Sequence, residues 1–410
     1  GSMDWSDISR SAIALADGGW IVRPHVYSYA MQDEEAQGRI HNSDILGYTS
    51  EGRTLYLGSD GHIKKPGNLV RNPQLGYLLK TIASEGIDVF YKGDIAGRIA
   101  DDMRAKGGLI TREDLAAYEV VRSPALSGSY RGLRIATNVP GGSGVQVIEA
   151  LNILEHFDLT ALGHNTPEYI RTLVEAIAYA FNDKRNKVGD PAFVDVPLDQ
   201  LVDKDYAKSF ADRITAGEKA PLDRMTLAES KDTTHVCTLD EHGNAVTMTH
   251  TLGAPSGVIA PGTGFIMNGC MSIFDPRPGK AMSIAPGKSY TSSMSPAILF
   301  DRDSPHIVIG APGAAYIPQA IAQAIVNAVD FGMTMTEAVA APRIAMTKNQ
   351  TVEVSNRIPQ YVTDEVEAMG YDLIRNYLSY AFAGVHGIKV TSDGWQGGAD
   401  PGRDGVALIV

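Results

Sequence analysis

The sequence predicts an α/β protein whose first half is mainly helical and whose second half is mainly strands covered by a few helices. Three observations carry this. Apolar residues recur at helical spacing through much of residues 1–215, short partly alternating β-rich runs dominate after about residue 230, and glycine and proline punctuate those runs. No repeat and no low-complexity linker separates the halves. The change of texture near 230 reads as a change of role inside one fold.

Taken in order, residues 8–17 have helical spacing and Gly18-Gly19 stop them. Residues 40–68 are rich in Gly, Ser and Asp and read as loops. Helical patterns follow at 73–86 and 88–105. Thr111 and Asp114 ahead of Leu115-Ala116-Ala117 form a capping-box start. Leu133–Thr137 reads as a strand. Pro140-Gly141-Gly142-Ser143-Gly144 breaks structure before a helix from Val145 to Phe157, and Thr166 caps a helix from Pro167 to Lys184. Residues 217–232 are polar and charged, as suits an exposed, cuttable loop. Strands are expected at 235–239, 245–251, 297–300 and 306–309, then helices at 316–330 and 335–341, then short strands to Val410.

Composition narrows the function classes. Over 410 residues, 44% are apolar and 20% charged, with a net charge of -12. An acidic surface disfavours phosphate backbones, so neither nucleic acid nor an anionic membrane is expected as a partner. No apolar run approaches the about 20 residues needed to cross a bilayer. Two cysteines, Cys237 and Cys270, are too few for a disulfide framework or a structural zinc site, and read as buried or half-buried thiols. No export signal is visible and Gly1-Ser2-Met3 reads as an expression remnant. Cytoplasmic, periplasmic and secreted locations therefore all stay open.

Several motifs fail. Pro286-Gly287-Lys288-Ser289 resembles the end of a phosphate-binding loop, but Met282 stands where the first glycine belongs. Gly141-Gly142-Ser143-Gly144 is not a nucleophile elbow. No His-Glu-x-x-His occurs, and a hairpin would spread His235, His242 and His250, so no metal is expected. The strongest feature is Asp232-Thr233-Thr234-His235: a polar segment meets a threonine that opens a strand, with a Gly243-Asn244 turn and a second strand beyond. A cut before Thr233 would give it a free α-amine, whose ordinary pKa of about 7.7–8.0 suits a base near neutral pH. Hydroxyl and base would then belong to one residue. By pattern alone, a threonine at a strand start is usually β-propensity.

The stretches Thr233-Thr234-His235, Gly243-Asn244-Ala245-Val246, Thr251-Leu252, Ser292-Ser293-Met294-Ser295-Pro296, Gly310-Ala311-Pro312-Gly313 and Ala340-Ala341-Pro342-Arg343 together resemble the small subunit of γ-glutamyltranspeptidases. Leu109–Leu115, Pro140–Gly144, Leu151–Leu154 and Gly189-Asp190-Pro191 resemble the large subunit, and Gly398–Pro401 with Arg403-Asp404-Gly405 resembles the family's ending. The resemblance implies a four-layer αββα sandwich of the N-terminal-nucleophile hydrolase type. It implies a precursor cut between Asp232 and Thr233 into pieces 1–232 and 233–410, which stay together as a heterodimer. Thr233 would attack an amide carbonyl, with Thr251 hydrogen-bonded to it. The backbone N–H groups of Gly313 and Ala314 would form the oxyanion hole, where alanine replaces the usual glycine. Ser292 and Ser293 would hold a substrate carboxylate. No cofactor is implied.

Two departures stand out. Gly253, Cys270 and Ile273 occupy the places of the polar residues that hold a glutamyl α-amine in the family, so an ordinary γ-glutamyl group is disfavoured, unless nearby Asp275 substitutes. The family's large subunit also starts further upstream, where core strands and a carboxylate-binding arginine lie. A further N-terminal segment or a partner supplying it is expected. Three readings follow: an N-terminal-threonine hydrolase or acyltransferase for a small acidic or acyl amide, a true γ-glutamyltranspeptidase, and an uncut inactive homologue or subunit.

Overall fold

The computed structural model describes residues 2–31, 40–221, 233–348, 351–378 and 382–410, in two compact units. Unit 1 comprises residues 1–122 and 255–269. It contains α1 (Trp5–Gly18), β1 (Trp20–Ile21), α2 (Pro24–Ala30), α3 (Asn42–Leu46), α4 (Ser50–Tyr56), β2 (Leu69–Val70), α5 (Pro73–Glu85), α6 (Asp88–Tyr91), α7 (Asp94–Ala105) and α8 (Arg112–Ala116). The segment 255–269 is held by its own apolar residues. Ala260 packs with Leu78, Ile95 and Ile99, while Ile259 and Ile266 pack with Leu55. Asn72 caps α5 and also donates to the Gly264 carbonyl at 2.6 Å.

Two local expectations are corrected here. Residues 40–68 are not all loop: α3 is started by the His41 side chain and α4 by Thr49, so their polar residues act as caps. The pattern at 88–105 is two helices, because the chain breaks at Lys92-Gly93; a Cβ on Gly93 would sit 2.7 Å from the Val89 carbonyl. The capping box of Thr111 and Asp114 is present as expected.

Unit 2 comprises residues 123–254 and 270–410, so it runs across residue 232. Its elements are β3 (Leu126–Tyr130), β4 (Leu133–Thr137), α9 (Gly144–Leu154), α10 (Leu159–Leu162), α11 (Pro167–Lys187), α12 (Leu198–Leu201) and α13 (Lys204–Thr215). The chain then forms β5 (Thr233–Leu239), β6 (Ala245–Thr251), β7 (Ala297–Asp301), β8 (Ser304–Gly310), α14 (Ile317–Val329), α15 (Met335–Ala340), β9 (Ile344–Lys348), β10 (Thr351–Ser355), α16 (Gln360–Ala368), β11 (Asp372–Asn376), β12 (His386–Thr391) and β13 (Gly394–Ala399). Helix α16 falls where only strands were expected; its Val362 and Val366, one helical turn apart, are both buried.

Six strands form one antiparallel sheet in the order β13-β12-β8-β7-β4-β3. The first half of the chain thus supplies β3 and β4 to a sheet completed by the second half. On one side lie α9, α11, α13 and α14, which form the main core with Ile135, Leu299, Ile307 and Ile309. On the other lies the β5–β6 hairpin, packed against β8 and β12. Alternation along β8 explains the division: Ile307 and Ile309 enter the helical core, and Gly310 meets His235 of the hairpin. Strands β9, β10 and β11 form a smaller sheet.

The hairpin's polarity is inverted relative to an ordinary sheet. Thr233, His235 and Cys237 pair across the strands with Thr251, Thr249 and Thr247 and face inward. Val236, Val246 and Met248 are exposed, alongside Thr234, Thr238 and His250. Polar groups on a core-facing row need partners within the protein, and here they find them in one another and in the Ile309 and His386 carbonyls.

Candidate functional site

All nine residues singled out from the sequence lie in unit 2. Thr233 and Thr251 are directly opposite each other in the hairpin, and the Thr233 hydroxyl donates to Thr251 Oγ1 at 3.0 Å. Thr251 Oγ1 also accepts from the Gly253 N–H at 2.8 Å. The register is fixed at the far end by Asp240, which accepts from the backbone N–H groups of His242 and Asn244 and closes the turn around Gly243. Asp232 and residues 222–231 of the expected cuttable loop 217–232 lie outside the described residues, whereas Thr233 lies within them.

Gly253, Cys270 and Ile273 come together beside this threonine pair. Gly253 has φ +70°, and a Cβ there would lie 2.4 Å from Cys270 Sγ, 3.3 Å from Tyr290 Oη and 3.6 Å from Ile273 Cδ1. Cys270 is buried and its thiol donates to the Leu252 carbonyl at 3.1 Å. The nearest side-chain atoms to Gly253 are therefore a thiol, a phenol oxygen and a methyl group. Asp275, the acid named from the sequence as a possible substitute, is held by a neighbour. Both its oxygens are taken by the Arg277 guanidinium, at 2.9 and 2.6 Å, which holds its carboxyl at about 2.

Gly313 and Ala314 follow β8 and lead through a single 3-10 turn into α14. Gly313 has φ 142° and packs against Ala383; Ala314 has φ +55°. Left-handed backbone costs a non-glycine residue about 1–2 kcal/mol, and such strain gathers at functional sites. Among the described residues, neither the Gly313 nor the Ala314 N–H donates a hydrogen bond. Two adjacent unused donors ahead of a helix N-terminus suit a developing negative charge.

Ser292 and Ser293 are both buried. The Pro140–Gly144 turn clasps their segment: Ser292 N–H donates to Gly141 O, Ser143 Oγ to Ser292 O, and Ser143 N–H to Met294 O. Ser292 Oγ accepts from the Met294 N–H at 3.2 Å, which leaves its hydroxyl proton available to an acceptor.

Sequence reasoning missed the polar network under the hairpin. Thr247 Oγ1 donates to the Ile309 carbonyl at 2.9 Å, so toward His235 Nε2, 3.0 Å away, it can only accept. Nε2 therefore carries the ring proton, and Nδ1 accepts from Thr249 Oγ1 at 2.9 Å. Burial, with the parallel His386 ring 6.4 Å away, pushes His235 down to about 3. Cys237 Sγ lies 3.2 Å from Nε2, and burial pushes its thiol up to about 12. His235 stands two residues from Thr233, yet it is a neutral ring with both nitrogens engaged. The only signal in the sequence was the i, i+2 spacing that puts it on the same face as Thr233.

The whole chain, residues 1–410, matches the family model described as Gamma-glutamyltranspeptidase. It is 35% identical over 415 residues to the acylase ACY 1 proenzyme of Pseudomonas sp. (strain V22), covering all of this chain and 72% of that one. It is 35% identical over 361 residues to the glutathione hydrolase proenzyme of Escherichia coli (strain K12), covering 84% of this chain and 61% of that one. Among solved structures, cephalosporin acylase from Bacillus halodurans matches with a TM-score of 0.84 at 25% identity, covering 98% of this chain and 73% of that one. The chain belongs to the gamma-glutamyltranspeptidase family.

Proposed function

We propose that this family member is a self-processing amide hydrolase or acyltransferase in which Thr233 is both nucleophile and base. A cut between Asp232 and Thr233 frees the Thr233 α-amine and yields pieces 1–232 and 233–410, which remain associated. The observation that carries the reading is the Thr233 hydroxyl held on Thr251 Oγ1 at 3.0 Å, with the Gly253 N–H on the same oxygen. The neighbouring histidine cannot serve as base, because both its nitrogens are engaged. That leaves the α-amine, whose ordinary pKa of about 7.7–8.0 fits the task.

In the proposed reaction, Thr233 Oγ1 attacks the amide carbonyl and its proton passes to the α-amine. The oxyanion is received by the Gly313 and Ala314 N–H groups. Collapse expels the amine, which takes the proton, and leaves a Thr233 ester. Water or a second amine then attacks the ester and frees Thr233. Each oxyanion donor is worth about 3 kcal/mol of barrier in such sites. The chemistry is self-contained and calls on no metal or cofactor.

The substrate we assign is a small amide whose acyl group ends in a carboxylate, held by Ser292 and Ser293, and carries no ammonium. Cys270, Ile273 and Tyr290 offer an ammonium only a weak thiol acceptor and a phenol oxygen, which repay little of its lost hydration. The acylase named among the relatives favours this reading; the glutathione hydrolase named among them favours a γ-glutamyl amide as the second. The four-layer αββα arrangement belongs to the same proposal, with the hairpin as part of a second central sheet.

The first test is the intact mass of denatured protein beside Thr233→Ala. Two chains in the wild type, the smaller beginning at Thr233, and one chain in the variant are expected. A wild type that stays whole removes the nucleophile and supports the uncut homologue. Release rates from glutaryl and γ-glutamyl anilides then rank the two substrates, with glutaryl expected to be faster.

A further inference from the structure

We infer that His235 is a positioning residue for the Thr233 site: seated on Gly310 and bonded through Thr247 to Ile309, it sets the nucleophile hairpin against the end of β8 that leads into Gly313 and Ala314. The inference rests on the reading of Thr233 as nucleophile.

The contact is possible only because residue 310 has no side chain. A Cβ on Gly310 would sit 2.1 Å from His235 Cε1 and 2.4 Å from Nε2. The ring thus lies directly on the backbone of β8. The adjacent link is Thr247 Oγ1 to the Ile309 carbonyl at 2.9 Å, on the hydroxyl that also receives His235 Nε2–H. Both links fall on the last two residues of β8, immediately before Ala311-Pro312-Gly313-Ala314. The backbone runs from these residues through Ala311-Pro312 to the two unused amides. On the hairpin side, the Nδ1 bond to Thr249 and the cross-strand pairing carry the constraint two residues along to Thr233 and Thr251.

The groups around the ring reinforce a fixed orientation. Cys237 lies beside Nε2 and its thiol donates to the His386 carbonyl at 3.6 Å, while the His386 ring is stacked in parallel at 6.4 Å. No carboxylate bonds the ring among the described residues, so nothing here stabilises an imidazolium. A ring with both nitrogens assigned and one face on backbone cannot rotate without breaking three contacts. Rigid support of this kind is what holds a nucleophile at a fixed distance from its oxyanion donors, where a displacement of about 1 Å costs on the order of 100-fold in rate.

The test uses the full chain with a chromogenic acyl anilide, comparing wild type, Thr233→Ala, Thr247→Val and Thr247→Ser. Thr247→Val keeps the shape but removes both the acceptor for Nε2–H and the donor to Ile309. Its kcat is expected to fall about 10–100-fold with KM within about twofold, and Thr247→Ser to recover most of the loss. Imidazole nitrogen NMR should show His235 as an Nε2–H tautomer that does not titrate between about pH 5 and 8. A Thr247→Val enzyme with near-wild-type kcat, or a Thr247→Ser enzyme as slow as the valine variant, overturns the inference. So does a His235 ring that titrates in that range. Wild-type release that does not depend on Thr233 is a different failure: it overturns the nucleophile reading and takes the positioning role with it.

Discussion

Gly253→Ala should separate two causes of strain at the threonine pair. At φ +70° an alanine costs about 1–2 kcal/mol relative to glycine. Its Cβ would also lie 2.4 Å from Cys270 Sγ, an overpacking that typically costs about 1–3 kcal/mol. A stiffer unfolded chain returns about 0.4–1 kcal/mol. The net destabilisation is therefore about 1–4.6 kcal/mol. In a Cys270→Ala background the sulfur is gone and the backbone cost remains with the milder 3.3 Å approach to Tyr290 Oη, so the coupling between the two substitutions should be about 1–3 kcal/mol. Denaturant unfolding is the assay, with Thr233→Ala carried throughout so that every variant is expected to stay one chain. Equal costs of Gly253→Ala with and without Cys270 would refute the reasoning and leave the backbone as the sole cause.

Three further outcomes follow from the geometry. Thr251→Val removes the acceptor of the Thr233 hydroxyl, and is expected to lower kcat about 10–100-fold with little change in KM, read from anilide release; unchanged kcat would separate Thr251 from the chemistry. Asp400→Asn leaves the buried Arg343 guanidinium without its carboxylate and should destabilise by about 3–5 kcal/mol; a loss below about 1 kcal/mol would contradict the pairing. Glu149 is buried beside Asp183, and burial raises its pKa well above 4.5, with Asp183 adding to the rise and Lys187 opposing it. The folded state then holds a proton that the unfolded chain releases, so stability falls as pH rises from about 4.5 toward the raised value. Glu149→Gln should flatten that fall, and parallel melting curves for variant and wild type from pH 5 to 8 would refute it.

How much of this was legible depended on whether a residue's partner was local. The capping box of Thr111 and Asp114 and the cap at Thr166 were readable because cap and capped amide lie three residues apart. The Thr233–Thr251 pair was legible through its motifs, and the hairpin register then fixed the geometry. Helices α3 and α4 were missed because short polar helices share the composition of loops, and only the cap bonds of His41 and Thr49 distinguish them. The His235 network was not legible. Its partners sit on β6 and on β8, and the contact arises from stacking one layer on another, which no spacing along the chain encodes. The strain at Ala314 was likewise invisible, since φ is set by the turn between β8 and α14. The sequence showed only that an alanine stood where the family has glycine.

The fit of the His235 ring onto Gly310 also bears on how such a sequence can change over time. Any side chain at 310 must evict the ring, and any smaller residue at 235 leaves a hole over bare backbone that a change at 310 alone could fill. Each position is thus locked while the other keeps its present residue. A lineage that altered the pair would have to pass through a variant carrying either a clash or a void, so these two sites should drift together or not at all.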